Sequence, residues 1–247
     1  WFAALAAGFA QNGAQVSAAL AALTEKVFVT SRLFAGYSGA LDAGVLARLI
    51  AALPQGAHGA TAAHKRYDAA ACAVEIPADV GFCALGHNLY ALGSSYSGAC
   101  PVLSSLVSYG YLWNMVRVQG GAYGTGMNVR RSGDIFCYSY RDPNLDNTRA
   151  VFSAVADFIE DFAAQGMPLD DIIIGAVNTT DPLLDPAGVC ESQCVRALKG
   201  VTPEELAKTR HELLATKPAD LAAMAGVLRK YAREGKFCTF SGTNGGA

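Results

Sequence analysis

The chain has 247 residues, of which 52% are hydrophobic and 16% are charged, and 19 basic against 21 acidic residues leave a net charge of −2. This composition excludes a disordered chain, and the balanced charge argues against nucleic acid or an anionic membrane as a partner. No apolar run reaches the roughly 18 residues that a membrane span requires. Seven cysteines without paired CxxC spacing fit reduced thiols better than a secreted disulfide scaffold.

The first third of the chain predicts mainly helices. Residues 1–28 are rich in Ala and Leu and predict a helix or a helical pair, and residues 41–53 return to helical spacing. Between them, the β-branched and aromatic stretch 27–39 predicts a strand. Residues 54–67 lose periodicity and gather Gly, His and basic residues, so we predict a connector and a domain boundary there. Because the sequence already reads as helix at Trp1, we expect a fragment of a longer protein.

The next segment predicts strands and one buried helix. Residues 72–85 predict a strand, and the nearly all-apolar stretch 101–117 predicts a helix that is buried on most sides. Residues 122–129 and 134–140 predict two strands joined by the polar turn "RRSG".

Helices dominate the last hundred residues. A helix starts near residue 144 with Asn144 or Asp146 as its N-cap, and its apolar residues recur on one face as far as Phe162. Further helices are predicted at about 169–180, 187–198, 203–215 and 219–233, before a last strand at 236–240. This order of elements predicts an α+β fold and not a doubly wound nucleotide-binding fold.

The sequence shows no metal-ligand pattern. None of its histidines falls in HExxH, HxxEH or HxxxH spacing; they are His58, His64, His87 and His211. Cys190 and Cys194 stand four apart on a predicted helix, where two thiols are more often core residues than ligands. We therefore predict that this chain alone forms no metal site.

Two further stretches have ordinary structural interpretations. The glycines of "GGAYGTG" follow a predicted helix and precede a predicted strand, which reverses the order that a dinucleotide-binding loop needs. The stretch "YRDPN", which contains Arg141 to Asn144, predicts a turn from a strand into a helix, with Asn144 as a cap.

Arg117 and Tyr123 stand six residues apart on either side of Gly120 and Gly121. One interpretation is structural: the glycines allow a tight turn, Arg117 pairs with a carboxylate, and Tyr123 packs in the core. The other is functional: the turn presents a guanidinium and a phenol to one point, where they suit a peptide carbonyl or the oxyanion it becomes. The two glycines would then leave room for a substrate backbone.

Four separated blocks carry a resemblance to a known family. "LWNMVRVQGGAYGTG", "FCYSYRDPN", "TDPLLDPAG" and "VTPEELAKTR", in this order and at these distances, resemble the C-terminal part of presequence proteases, which are pitrilysin/insulinase-type zinc metalloendopeptidases. The resemblance covers nearly all of residues 70–240. It implies four homologous α+β domains, each an antiparallel sheet packed with helices, that close around a peptide chamber.

Under this resemblance, residues 1–68 are the end of the third domain and residues 69–247 are the fourth. Zinc and its HxxEH motif are expected in the N-terminal half of the same enzyme, which is the implied partner, and unfolded peptides such as targeting presequences are the implied substrates. The implied catalytic pair is Arg117 and Tyr123, with Gly120 and Gly121 beside the substrate, and the implied location is the mitochondrial matrix or the plastid stroma.

Two alternatives to an active protease remain. One is a catalytically silent relative, since this fold also serves as non-catalytic subunits of processing peptidases and respiratory complexes; retention of Arg117 and Tyr123 argues against it. The other is an unrelated α+β domain with a buried arginine, which the four ordered blocks make less favoured.

The missing ligand spacing makes a direct prediction about metal. We expect the 247-residue chain on its own to hold no stoichiometric zinc and to cleave no peptide. Metal analysis after dialysis measures this. One tightly held zinc per chain, with peptidase activity that a chelator removes, would show the prediction to be wrong.

Overall fold

The computed structural model describes residues 2–56 and 70–242, which fall into two compact units. The described residues up to 56 group with Leu184–Gly200 in a smaller unit, and the other described residues form a larger unit. Most of the connector predicted at 54–67 lies outside the described residues. The division into a third and a fourth homologous domain at 68/69 stays a prediction.

The helices of the described residues, in chain order, are α1 (Phe2–Ala7), α2 (Phe9–Val27), α3 (Ala43–Ala52), α4 (Ala99–Ser105), α5 (Leu145–Ser153), α6 (Val155–Ala164), α7 (Asp170–Thr180), α8 (Pro186–Leu198), α9 (Pro203–Ala215), α10 (Pro218–Ala222) and α11 (Ala225–Glu234). A 3₁₀ turn lies at Thr30–Arg32, and a π-helix at Leu106–Gln119 continues α4. The strands are β1 (Cys72–Glu75), β2 (Gly81–Asn88), β3 (Gly124–Val129), β4 (Asp134–Asp142) and β5 (Lys236–Ser241). Within residues 2–56 and 70–242, no helix combines the length and apolar character needed to cross a bilayer.

The smaller unit contains the one prediction of element type that is wrong. Residues 27–39 do not form a strand: α2 continues to Val27 and a 3₁₀ turn follows. A strand needs a neighbour to receive its hydrogen bonds, and none of this unit's described residues forms one. On α8, Cys194 lies so close to Gly36 that a Cβ at position 36 would overlap its Sγ. This contact supports the interpretation of Cys190 and Cys194 as packing residues.

The larger unit is built on a five-stranded sheet with the strand order β1-β5-β2-β4-β3. β1 is parallel to β5, and all other pairs are antiparallel. The strand predicted at 72–85 is two strands, because the chain turns at Ile76–Val80 around Pro77 and β5 inserts between the two halves. The predicted pair of strands at 122–129 and 134–140 is confirmed as the β3–β4 hairpin.

The helical predictions for the larger unit are confirmed with two breaks, and the helix predicted at 101–117 is buried on most sides only in its first half, since Tyr109 and Trp113 are exposed. The helix that starts after Asn144 is interrupted at Ala154, and the helix predicted at 219–233 is interrupted near Met224. Asn144 is the N-cap of α5, since its side chain accepts a hydrogen bond from Asn147 N at 3.2 Å.

One face of the sheet packs against helices, and Tyr231 of α11 fixes this contact. The Tyr231 side chain is fully buried; its hydroxyl donates to Leu85 O at 2.6 Å and accepts from Cys137 N at 2.9 Å. One phenol therefore bridges the neighbouring strands β2 and β4. Burial raises the pKa of Tyr231 well above its usual value, so the neutral form is the one that fits this site.

The π-helix lies along the outer edge of β3. Ser108 Oγ accepts from Met127 N at 2.8 Å and donates to Met127 O at 3.3 Å, and Ser104 Oγ accepts from Val129 N at 3.0 Å. These bonds satisfy polar backbone groups that an edge strand otherwise leaves open. They also fix the position of the helix relative to the strand that follows it.

The Tyr231 bridge predicts a stability effect. Tyr231→Phe removes one donor and one acceptor and leaves Leu85 O and Cys137 N without this partner, so we expect a loss of about 1–3 kcal/mol in the free energy of unfolding. Tyr90→Phe is the matched control, because its hydroxyl also donates to a carbonyl, that of Arg131, but at an exposed site. Denaturant unfolding of both variants measures the difference; equal losses would contradict a special role for the buried hydroxyl.

Candidate functional site

The turn between the π-helix and β3 needs both of its glycines. Gly121 has φ +82°, a conformation that L side chains rarely adopt. At Gly120 a Cβ would lie 2.6 Å from Val116 O. Gly121 N donates to Arg117 O at 3.0 Å and Ala122 N donates to Val116 O at 3.1 Å, so the chain reverses within a few residues. The sequence prediction of a glycine-dependent tight turn is confirmed.

Arg117 lies in the last turn of the π-helix with its guanidinium over the Trp113 ring, 4.0 Å from the centroid. Such stacking at an accessible site contributes about 0.5–1 kcal/mol and leaves the edge N–H donors open. Among the described residues, no carboxylate pairs with Arg117 and no hydrogen bond engages its guanidinium. The ion pair expected under the structural interpretation is therefore not formed within residues 2–56 and 70–242.

Tyr123 follows the turn and is exposed, with 65% of its surface accessible. Its ring meets the Tyr140 ring edge-on at 5.7 Å, and the Arg141 guanidinium lies 5.9 Å from its centroid. Its backbone N–H donates to Tyr140 O at 3.1 Å, which anchors the residue to β4. No partner for its hydroxyl occurs in the part of the chain that the structure describes. The core packing expected under the structural interpretation is wrong.

The two side chains lie on one turn but have separate neighbours. The bond from Ala122 N to Val116 O joins the residues next to them in sequence, whereas Arg117 stacks on Trp113 and Tyr123 on Tyr140. Trp113 also lines a groove of about 450 Å³ between the helix and β3. The Arg117 guanidinium and the Tyr123 hydroxyl are thus two separate hydrogen-bond donors, and each side chain packs against an aromatic ring.

A β-bulge lies beside Tyr123 and was not foreseen from the sequence. Between the pairs Gly81↔Asp142 and Cys83↔Ser139, Phe82 of β2 faces two residues of β4, Tyr140 and Arg141. Arg141 has φ +49°, which is unusual for a residue that carries a Cβ. Its guanidinium lies over the Tyr123 and Tyr140 rings. No glycine or asparagine in "SYRD" marks this conformation, so the residue sequence held no signal for it.

The helix cap predicted for "YRDPN" is confirmed. Asp142 is buried; one of its carboxylate oxygens accepts from Asn144 N at 2.8 Å and the other from Thr148 Oγ1 at 2.6 Å. These bonds fix the end of β4 against the start of α5. They also satisfy a buried carboxylate without a cation.

The described residues contain no group of three or more His, Cys, Asp or Glu side chains that could hold a metal ion. His58 and His64 lie outside the described residues. The ring of His87 makes local contacts with the backbone of Asn88.

Solved structures define the fold class. The chain superposes on a structure described as a peptidase M16 inactive domain from Pseudomonas fluorescens with a TM-score of 0.56 and 14% identity, over 83% of this chain and 51% of the other. A protease from Helicobacter pylori gives a TM-score of 0.52 with 15% identity over 83% and 53% of the two chains. The fold is that of an M16, pitrilysin/insulinase-type, peptidase domain.

Sequence comparison then identifies the family. The family described as the PreP C-terminal domain matches residues 72–240, so the chain belongs to it. Relatives include the protein HypA of Clostridium perfringens, 32% identical over 65% of this chain, and presequence protease 1, chloroplastic/mitochondrial, of Arabidopsis thaliana, 34% identical over 62%. The matched regions are 16% and 14% of the lengths of these relatives. The family resemblance carried by the four sequence blocks is confirmed.

The left-handed conformation of Gly121 predicts a loss of stability on substitution by alanine, which a glycine in an ordinary helix should not show. Gly121→Ala places a Cβ at φ +82° and should cost roughly 1–2 kcal/mol of stability. Gly226→Ala, in α11, meets nothing within 4 Å and should leave the stability unchanged or higher. Thermal unfolding compares the two variants. A Gly121→Ala protein as stable as Gly226→Ala would mean that the left-handed turn is not required.

Proposed function

We propose that this chain is the C-terminal, non-zinc-binding part of a zinc metalloendopeptidase that degrades short unfolded peptides such as targeting presequences. Arg117 and Tyr123 bind the carbonyl of the bond to be cleaved when the enzyme's two halves close around the substrate. Membership of the PreP C-terminal domain family and relatives named presequence protease support this assignment. The zinc-bearing partner is the N-terminal half of the same enzyme.

The observation that carries the proposal is the pair of donor side chains at the glycine turn, the partly exposed Arg117 and the exposed Tyr123, for which residues 2–56 and 70–242 supply no side-chain hydrogen bond. A structural arginine or tyrosine would direct its polar atoms to protein partners, as Tyr231 does. Arg117 and Tyr123 instead contact protein mainly through aromatic stacking, which fixes them while leaving N–H and O–H groups available. Pre-positioned donors of this kind can stabilise charge on a reacting carbonyl oxygen.

The zinc and the two side chains would act on different parts of the reaction. Zinc bound by the other half would supply an activated water and polarise the carbonyl. Arg117 offers a planar fork of N–H donors and Tyr123 one O–H donor, and a donor to a developing oxyanion contributes about 3 kcal/mol. Because metal and donors come from different halves, only the closed enzyme has a complete site, and closure gates the reaction. An enclosed chamber also selects short unfolded peptides.

The compartment follows from the relatives. Relatives from Arabidopsis thaliana, Emericella nidulans and Xenopus tropicalis are named chloroplastic/mitochondrial or mitochondrial, which supports the mitochondrial matrix or the plastid stroma. The relative from Clostridium perfringens is bacterial.

The second candidate is a catalytically silent subunit, and one observation favours it: the structure from Pseudomonas fluorescens is described as an inactive domain. That description also fits the half of an active peptidase that lacks zinc. The accessible Arg117 and Tyr123 favour the active enzyme, because a silent subunit has no use for donors at this turn. An HxxEH motif elsewhere in the full-length protein separates the two candidates.

Substitutions in the full-length enzyme test the proposed roles. We expect Arg117→Ala and Tyr123→Phe each to lower kcat/KM for peptide cleavage by about 100-fold or more, with zinc content unchanged, because each removes a donor to the reacting carbonyl. If the Tyr123 hydroxyl acts on the developing oxyanion, kcat and kcat/KM fall together, whereas a pure binding role raises KM alone.

Tyr37→Phe is the control for Tyr123→Phe, since Tyr37 is 62% exposed and Tyr123 65%. It should leave cleavage unchanged. Because neither Arg117 nor Tyr123 fills the core, Tyr123→Phe should unfold at the wild-type temperature and Arg117→Ala, which loses its stacking on Trp113, within roughly 4 °C of it. Wild-type turnover by folded, zinc-loaded Tyr123→Phe would remove this hydroxyl from the mechanism.

A further inference from the structure

The face of the sheet opposite the one that Tyr231 bridges carries a continuous row of apolar and aromatic side chains. The row has one residue on each of β1, β5, β2 and β4 and one residue just before β3, and it runs across the strands. Its members, from the β1 edge to the β3 edge, are Val74, Phe240, Phe82, Tyr140 and Tyr123.

Strand register and ring contacts establish that the row is continuous. Phe240 is paired with Val74 on one side and with Phe82 on the other. The Phe82 and Tyr140 rings meet edge-on with centroids 5.3 Å apart, and Tyr140 meets Tyr123 in the same way at 5.7 Å. The β4 bulge places Tyr140 and Arg141 together opposite Phe82. The row therefore ends on the tyrosine that the proposed function places at the cleaved bond.

The neighbouring positions make the row a raised ridge. The next residues along the strands on the same face are mostly small; they are Cys72 of β1, Cys238 of β5, Ala84 of β2 and Gly126 of β3. Tyr138 of β4 lies over Gly126, whose Cβ would come within 3.0 Å of the Tyr138 hydroxyl. Over β1, β5 and β2, an extended chain can thus lie beside the row with its backbone over small residues, whereas at β4 and β3 the Tyr138 side chain occupies this path.

The chemistry of the row fits a transient peptide better than a permanent protein contact. Phenylalanine and tyrosine with an adjacent arginine, here Arg141 over Tyr140, are enriched where proteins bind partners. The Tyr140 and Tyr123 side chains are 42% and 65% exposed. Their hydroxyl groups need water or a polar ligand, which a peptide backbone supplies along its whole length. A permanently covered face would place such groups in a dry interface.

We infer that this row is an extended subsite for bulky apolar side chains of the peptide substrate, running from the cleaved bond toward the β1 edge. The inference rests on the proposed function, since Tyr123 links the row to the reacting carbonyl. Five strands about 4.8 Å apart span about 19 Å, which is the length of about six residues of extended peptide. The enzyme should therefore distinguish an apolar residue from a charged one four to six positions from the cleaved bond.

The test uses the full-length, zinc-loaded enzyme and two fluorogenic peptides. The long peptide has a phenylalanine about five positions from the cleaved bond, and the short peptide ends two positions from it. Phe240→Ser shortens the far part of the row, and Leu214→Ser is the control, because Leu214 is 55% exposed on α9, away from the row, while Phe240 is 45% exposed.

We expect Phe240→Ser to raise KM for the long peptide by roughly tenfold, as loss of a half-buried phenyl contact implies, and to leave KM for the short peptide unchanged. Leu214→Ser should change neither. An unchanged KM for the long peptide in Phe240→Ser would overturn the inference. It would leave the proposed function standing, because that function is tested separately by Tyr123→Phe. A lower unfolding temperature or lost zinc in Phe240→Ser would also overturn it, because the face would then be covered by another part of the enzyme.

Discussion

The contact between two serine hydroxyls and the outer edge of β3 determines much of what this domain can do. Ser104 and Ser108 lie one turn apart, and both bind backbone groups of the strand, at Val129 and Met127. The helix consequently cannot slide along the strand without breaking these bonds. The short connection between them must then reverse direction within a few residues, which is why it needs glycine at positions 120 and 121. Arg117 lies in the last turn of the helix before that reversal, and Tyr123 is the first large side chain after it.

The two faces of the sheet have different roles. On the inner face, Tyr231 bridges β2 and β4 and fixes α11 against the core. On the outer face, the strands present rings and small residues to the surroundings, and the β4 bulge turns Tyr140 and Arg141 toward Tyr123. A rigid inner face supports an accessible outer face, and rigid support is what positions donors accurately for a reacting carbonyl.

Local chemistry made most of the fold predictable from the sequence. The β3–β4 hairpin, the Asn144 cap and the glycine turn depend on residues close together in the chain, and the structure confirms all three. The strand predicted at 27–39 was wrong because strand formation depends on a partner that local sequence does not reveal. The parallel pairing of β1 with β5 joins residues more than 160 positions apart in the chain, so no local pattern could predict it.

In the candidate site, too, some features were predictable from the sequence and others were not. The spacing of Arg117, the two glycines and Tyr123 was visible in the sequence, and the structure shows both side chains accessible. The stacking partners were not visible, because the sequence does not indicate that residues 106–119 form a π-helix, and because Arg141 adopts a left-handed conformation that its residue type does not favour. Their roles toward substrate remain proposals that rest on this accessibility and on the family.

The central claim is that Arg117 and Tyr123 bind the reacting carbonyl, and a structure of the full-length enzyme with an uncleavable peptide tests it most directly. The distances to measure run from the Arg117 guanidinium and the Tyr123 hydroxyl to the carbonyl oxygen nearest the zinc. The account predicts that both lie within about 3.5 Å, the range of a hydrogen bond. A closed enzyme with peptide in place and both groups more than about 6 Å from that oxygen, beyond even a bridging water, would contradict it.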